Sequence, residues 1–296
     1  MRILFIGCVE SSFRLLNELI LNHKNVVGVI TKKQNTYNAD FCDISPLCMN
    51  NDIPFHYAKN INDDDCREFV SSVSPDICFC FGWSQLLKED LIMMFPLGVV
   101  GFHPAALPNN RGRHPLIWAL VLGLEETASS FFMITPGADE GDIVSQKKVI
   151  IDYEDDARTL YNKIMTIAVE QEIELVDAFE KKDVTKITQN LKAGNTWRKR
   201  GKGDGQIDWR MNSRSIYYLV RGLTKPYGGA HFVFEDIEYK VWKVQEINHN
   251  VPANIEPGKV LEVNDDGSID VKVSEGAVRL IDFEKPNSIK KGDYIL

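Results

Sequence analysis

The chain has 296 residues, 44% of them hydrophobic and 26% charged, with a formal charge of -8 at pH 7. That length allows one large domain or two moderate ones, and no apolar run approaches the roughly 18 residues a membrane span needs. The acidic balance argues against a large nucleic-acid partner, because neutralising phosphates favours basic faces.

Arg2 is followed by the apolar run Ile3 to Ile6, too short for a secretory signal core and better read as a first buried strand ending near Gly7. Phe13, Leu16 and Ile20, with Leu15 and Leu19 beside them, then recur at helical spacing. Val26–Thr31 reads as a strand, Asp63–Val73 as a helix broken by Pro75, and Asp76–Phe81 as a strand. A short helix at Lys88–Phe95 precedes a strand at Gly98–Phe102. Helix Pro115–Leu122, strand Ala128–Thr135 and apolar segment Ile143–Ile151 follow. A long helix runs over Asp156–Lys182 with Leu160, Ile164, Ile167 and Leu175 as its stripe. Strands and helices alternating at short intervals predict an α/β fold, a Rossmann-like and mostly parallel sheet with helices on both faces.

Composition shifts over Gly194–Gly205, a glycine-rich and basic stretch that reads as a linker or mobile loop. Beyond it come a helix at Ser213–Leu223 and short strands at Ala230–Phe234, Tyr239–Val244, Gly258–Val263, Ser268–Val273 and Ala277–Phe283. Asp265, Asp266 and Gly267 make a hairpin signal between two of them. The expected organisation is therefore a catalytic domain over 1–193, a linker over 194–204 and a smaller, mostly β domain over 205–296, with a barrel as one form of it. Six cysteines, all between Cys8 and Cys80, lack zinc spacing and read as buried free thiols of a reducing, cytoplasmic compartment.

A dinucleotide site does not fit. The turn after the first strand, Gly7 to Ser12, holds one glycine where the fingerprint needs three, and Lys32 and Lys33 stand where a ribose-binding carboxylate belongs. Ser11 and Ser12 precede a helix, where they either donate to an anion of the substrate or simply cap the helix, the plainer role.

The most informative segment runs from Gly101 to Gly112. His103 leaves a strand end, Pro104 and Pro108 fix the loop's course, and Gly112 closes it. In a parallel sheet, ligands bind beyond such ends. Asp139 stands 36 positions on, after another strand, where its carboxylate could orient the imidazole. A lone loop histidine is more often structural than catalytic; the two segments together are not a lone histidine.

They resemble the formyl-tetrahydrofolate-dependent formyltransferases. That family pairs Asn-x-His-x-Ser-Leu-Leu-Pro and a following Arg-Gly with a later Leu-Asp-x-Gly-x-Ile. His103, Leu107, Pro108, Arg111 and Gly112 match the first motif; Asp139, Gly141 and Ile143 match the second. The stretch from Phe81 to Leu87 is similar to the one whose backbone holds the pterin ring. The resemblance implies formyl-tetrahydrofolate as cosubstrate, with Gly82, Trp83, Gln85, Leu86, Leu87, Ile134, Pro136 and Asp139 around it and no metal. It implies His103 and Asp139 as catalytic residues. His103 donates to the developing oxyanion or relays the amine proton, and Asp139 orients the imidazole. The family's oxyanion Asn is Gly101 here, and Asn110, on the same loop, is the expected replacement, ahead of Asn109 and His114.

The C-terminal part resembles the smaller domain of the methionyl-tRNA and sugar formyltransferases. Basic and acidic residues beyond about 200 are nearly balanced, against tRNA as acceptor. The segments Arg111 to Trp118 and Lys225 to Gly229 look more like bacterial sugar N-formyltransferases. The acceptor expected is thus a nucleotide-linked amino sugar, a 4-amino-4,6-dideoxy sugar for surface glycan biosynthesis, with the pseudaminic acid pathway as the narrowest form of that expectation. Arg111 and Arg113 would meet its diphosphate, with Ser11, Ser12, Trp209, Lys225 and Tyr227 completing the substrate-binding set. Alternatives are methionyl-tRNA formylation, formyl-tetrahydrofolate hydrolysis and folate binding without turnover. Exposed β edges of the second domain make homodimerisation a further expectation.

Overall fold

The computed structural model describes residues 1–34, 40–247 and 251–296. They form two compact units from interleaved stretches. Met1–Pro115, Thr127–Val149 and Asn162–Trp197 make the first; Leu116–Glu126, Ile150–Tyr161 and Arg198–Leu296 make the second.

Through residue 197 the elements are β1 (Ile3–Ile6), α1 (Glu10–Leu21), β2 (Val26–Thr31), α2 (Ser45–Asn50), β3 (Phe55–Tyr57), α3 (Asp64–Val73), β4 (Ile77–Cys80) and α4 (Glu89–Ile92). They continue with β5 (Val99–His103), β6 (Arg111–Gly112), α5 (Pro115–Val121), β7 (Glu126–Met133), β8 (Ile143–Ile150), α6 (Ala157–Lys181) and β9 (Thr196–Trp197). Seven strands make one sheet in the order β3-β2-β1-β4-β5-β7-β8. The ladders from β3 to β5 are parallel. Every residue of β1 and β4 is buried, as strands covered on both faces must be. On α1 the buried stripe is Leu15, Leu16 and Leu19, rotated from the expected one, so Phe13 is 38% exposed. Pro75 stops α3, whose last cap, Ser74, sits in the left-handed region at φ 42°.

The parallel run ends at β5. Strand β7 lies antiparallel to it, with His103 opposite Ser130 and Val100 opposite Met133. The end of β7 therefore lies beside the start of β5, away from His103. The loop from Ile134 to Asp142 has to double back to reach the histidine.

In the second unit α7 (Ser213–Leu223) starts at Asn212, whose side chain accepts from Ser215 N–H at 2.8 Å. It packs on an antiparallel sheet of β10 (Ala230–Phe234), β11 (Ile237–Ile247), β12 (Val260–Val263), β13 (Ile269–Lys272) and β14 (Ala277–Phe283), in the order β10-β11-β14-β13-β12. The C-terminal tail joins the two edges. Leu296 exchanges backbone hydrogen bonds with Val233 of β10, at 2.6 and 2.8 Å, while Val260 N–H of β12 donates to Asp293 at 2.8 Å. The barrel form of the expectation is thus completed by a tail that the alternation of strands does not reveal. Its core is built on Ile207, Trp209, Ile216, Leu219, Phe232, Val260 and Leu280.

All six cysteines are free thiols, and burial pushes Cys48 and Cys66 up to about 12. Among the described residues no helix is long and apolar enough to cross a membrane.

Candidate active site

His103 closes β5 and is only 5% exposed. Its Nε2 lies 2.8 Å from the Asn110 carbonyl, an acceptor only, so Nε2 carries the proton and donates. Its Nδ1 lies 3.7 Å from Asp139 Oδ2. That same oxygen accepts from the Gly112 N–H at 2.9 Å. The two segments marked in the sequence meet here, and one carboxylate oxygen sits between an imidazole and a backbone donor.

Backbone strain gathers at the same place. Asn110, His114 and Asp139 all have positive φ, at 64°, 57° and 58°. Asn, Asp and His are the non-glycine residues that best tolerate that region, and such outliers cluster at functional sites. At Gly112, φ is 98° and a Cβ would stand 2.3 Å from the Trp197 carbonyl, so only glycine lets Arg111–Gly112 pair with Thr196–Trp197.

The position of the family's oxyanion Asn is closed. A Cβ at Gly101 would lie 2.8 Å from Phe132 Cζ and 3.0 Å from Ile134 Cγ1. Phe132 is buried in a small cluster with Leu107 and Ile143, so an aromatic ring fills the volume where that side chain would stand. Asn110, the expected substitute, uses its backbone on both sides: its carbonyl takes the His103 bond and its N–H donates to Asn195 Oδ1 at 2.9 Å. The side-chain amide is the part left for a ligand.

Following β4, the strand next to β5, the turn from Gly82 to Leu87 is pinned by residues 59–62. Gln85 accepts from Ile61 N–H at 3.0 Å and donates to the Lys59 carbonyl, while Asn62 donates to Leu86 O at 3.0 Å. Leu87 is buried, whereas Leu86 is 63% exposed. Trp83 and Ile134 lie half-buried against the same apolar cluster as Leu87, and Pro136 is exposed. Trp83 Nε1 is buried without a hydrogen-bond partner.

Several expected substrate contacts are turned to other work. Ser12 is fully buried; its hydroxyl donates to Phe81 O at 2.6 Å and accepts from Val9 N–H, so it ties the helix start to the residue after β4 in the plainer, capping role. Arg111 is 9% exposed and donates through Nη2 to Leu191 O at 3.3 Å, while its buried Nη1 has no hydrogen-bond partner. Trp209 is 4% exposed and packs edge-on against Phe232 in the barrel core, which leaves no face for stacking on a base. Lys225 pairs with Asp282 at 3.2 Å and lies over Trp242. Arg113 is exposed, and Ser11 and Tyr227 are half-buried. The stretch read as a linker carries β9 and a 3₁₀ turn at Lys202–Gly205. One trio, His56, Asp65 and Cys66, brings possible metal-ligating atoms within 4.8 Å, and burial pushes the Cys66 thiol up to about 12.

Sequence comparison decides what this geometry belongs to. The profile of the family described as Formyl transferase matches residues 1–176, and that of its C-terminal domain matches 199–291. The chain belongs to the formyl transferase family. A methionyl-tRNA formyltransferase of Clostridioides difficile is 25% identical over 301 residues, covering 100% of this chain and 96% of its own length. The bifunctional polymyxin resistance protein ArnA of Wigglesworthia glossinidia brevipalpis is 30% identical over 224 residues, covering 76% of this chain and 34% of its own. The fold is shared with HypX of Aquifex aeolicus, at a TM-score of 0.70 and 18% identity over 97% of this chain. The chain spans about half of HypX, 46% of its length. It is shared over nearly whole chains, 95% of this one and 99% of the other, with an N-formyltransferase of Helicobacter canadensis at a TM-score of 0.72 and 17% identity.

As a family member the chain is a folate-dependent formyltransferase with formyl-tetrahydrofolate as cosubstrate. The residues present are compatible with that donor: His103 and Asp139 at a strand end, Trp83 and Ile134 half-buried against one apolar cluster, and the unbonded indole N–H of Trp83.

Proposed function

We propose that this formyltransferase transfers the formyl group to the amino group of a nucleotide-linked amino sugar, with His103 and Asp139 as its catalytic residues. When bound, formyl-tetrahydrofolate supplies an activated formyl carbon. His103 has Nε2–H committed to the Asn110 carbonyl, so the nitrogen able to take the amine's proton is Nδ1, and Asp139 Oδ2 at 3.7 Å is the charge that holds it there. Asp139 is itself aimed by the Gly112 N–H. With Gly101 closed by Phe132, the Asn110 amide is the side chain we assign to the developing oxyanion.

The observation that carries the sugar reading is the charge of the second unit: beyond residue 200 acids slightly outnumber bases, unlike a surface built for an RNA backbone. Two fold neighbours support it, a sugar 3N-formyltransferase crystallised with dTDP and the Helicobacter canadensis enzyme crystallised with dTDP-3-aminofucose. A 4-amino-4,6-dideoxy sugar of bacterial surface glycans, made in the cytoplasm, is the narrower form of the proposal. Exposed Arg113 is the cation we assign to the diphosphate.

One observation favours a second reading: the match to methionyl-tRNA formyltransferase runs through the whole chain. The test is to incubate the protein with formyl-tetrahydrofolate and, separately, nucleotide-linked 3- and 4-amino sugars or initiator methionyl-tRNA, following tetrahydrofolate release and product mass. One formyl mass gained on a sugar and lost in His103→Ala supports the proposal. Formylated methionyl-tRNA with unmodified sugars replaces it by the tRNA reading, and formate release alone by hydrolysis.

A further inference from the structure

Between the two family-matched segments, 1–176 and 199–291, lies a stretch with no recognised motif. Its residues 187–197 touch both halves of the catalytic pair's support. Ile187 exchanges backbone hydrogen bonds with Ile143, at 2.8 and 2.9 Å. Gln189, 8% exposed, donates through Nε2 to the carbonyls of Asp139 at 2.9 Å and Gly141 at 2.6 Å. Leu191 O receives the Arg111 guanidinium. Gly194 passes so close to Pro108 that a Cβ would stand 2.0 Å from its carbonyl oxygen. Asn195 Oδ1 accepts from Asn110 N–H, and Asn195 O accepts from Arg111 N–H at 3.1 Å. Thr196 and Trp197 then pair with Arg111 and Gly112.

We propose that residues 187–197 form a strap that sets the geometry of the His103–Asp139 pair, with Gln189 and Asn195 as positioning residues. Neither touches the imidazole or the carboxylate. Gln189 fixes the backbone of the residue that bears the carboxylate, in a loop that doubles back from an antiparallel strand and has no ladder of its own to hold it. Asn195 holds Asn110 on both sides: its side chain accepts from the Asn110 N–H, and its own carbonyl accepts from Arg111 N–H, in the peptide whose carbonyl orients the His103 ring. The strap also holds Gly112, whose N–H aims Asp139. Two loops from different strands are thereby referred to one segment, and the 3.7 Å separation across the pair is determined by that segment. Misplacement of reacting groups by about 1 Å can cost two orders of magnitude in rate, so the strap is a kinetic element.

The inference rests on the family's transfer chemistry and holds whichever amine is the acceptor. Asn195 uses its oxygen as an acceptor, which Asn195→Asp keeps and Asn195→Ala removes; the residue is exposed, so both variants fold. Gln189→Met keeps the length and removes both donated bonds. Long-range 1H–15N spectra of histidine-labelled protein read the hydrogen-bonded Nε2–H of His103 directly, without an acceptor substrate. We expect that signal in the wild type and in Asn195→Asp, and its loss in Asn195→Ala. With an accepted amine, kcat should fall about tenfold in Asn195→Ala and further in Gln189→Met, with KM for formyl-tetrahydrofolate within about twofold of wild type. Retention of the signal in Asn195→Ala, or equal losses in the Asp and Ala variants, overturns the proposal. If no amino sugar is turned over, the sugar reading falls and the spectra still decide the strap.

Discussion

The two compact units put their polar side chains to opposite uses. In the first, polar groups at the end of β5 bond to backbone held in left-handed conformations: His103 to Asn110 O, Asp139 to Gly112 N–H. In the second, they are spent on the unit's own frame. Arg221, 6% exposed, donates to Tyr153 O at 2.9 Å, and Glu246 gathers Tyr153, Ser213 and Arg214 within 2.9 Å. A group held by one or two bonds at a strained strand end is available for chemistry. A group tied by several bonds into its unit's own frame serves stability.

The sharpest way to break that contrast is at His103 and Asp139, the pair proposed to carry the chemistry. His103→Ala and Asp139→Asn should each lower turnover by about 10²–10⁴-fold while formyl-tetrahydrofolate binding stays measurable by calorimetry. Near wild-type turnover in either would remove that residue from the mechanism. In the second unit the expected loss is of stability: Trp209→Ala should cost about 3–5 kcal/mol by denaturant unfolding. An unchanged midpoint with a raised KM for the acceptor would restore Trp209 as a substrate contact.

Gly101→Asn sharpens the comparison within the first unit. The new side chain meets the Phe132 ring, so we expect a loss of about 1–3 kcal/mol and no gain in rate. Pairing it with Phe132→Ala makes room, and only that double variant should recover activity relative to Gly101→Asn. A single variant faster than wild type would show that Phe132 yields and that the closed volume does not set the site.

The smallest expected effect concerns a polar group of the first unit that takes no part in the site. Glu172 on α6 is fully buried with neither carboxylate oxygen bonded, and burial pushes it well above the usual carboxylate range. Its folded-state pKa therefore exceeds its unfolded one, so the folded chain holds the extra proton. Stability from this group is fully present below the unfolded pKa, near 4.3, and is lost as pH rises towards the folded value. Glu172→Gln should raise the melting temperature at neutral pH and flatten its decline with pH; an unchanged pH dependence would place the carboxyl in a solvated setting.

Much of this was readable beforehand where residues repeat on a period or form a dense motif. The helix Ser213–Leu223 and the strands Val26–Thr31, Ala230–Phe234 and Ala277–Phe283 lie where the sequence predicts them. His103 and Asp139 were marked by their motifs, and the structure brings them together. What local pattern cannot express is how deeply a side chain is buried. Ser12, Arg111 and Trp209 have the chemistry of ligand contacts, but burial of their polar or flat faces is decided by what packs over them. The sequence read residues from 194 on as a linker and found no signal in 187–193, because the bonds of 187–197 run to partners 44 to 85 positions away, which no periodicity records.

By itself, then, the sequence determined the family, the parallel core and the two motifs that bring His103 and Asp139 together, because apolar periodicity and a dense motif are local properties. Only the tertiary structure decided that β7 runs antiparallel, that Phe132 closes the space at Gly101, that the tail joins β10 to β12, and that 187–197 bonds to the loops after His103 and around Asp139. Those features depend on backbone hydrogen bonds and excluded volume between distant residues, and both are fixed only when the chain has folded.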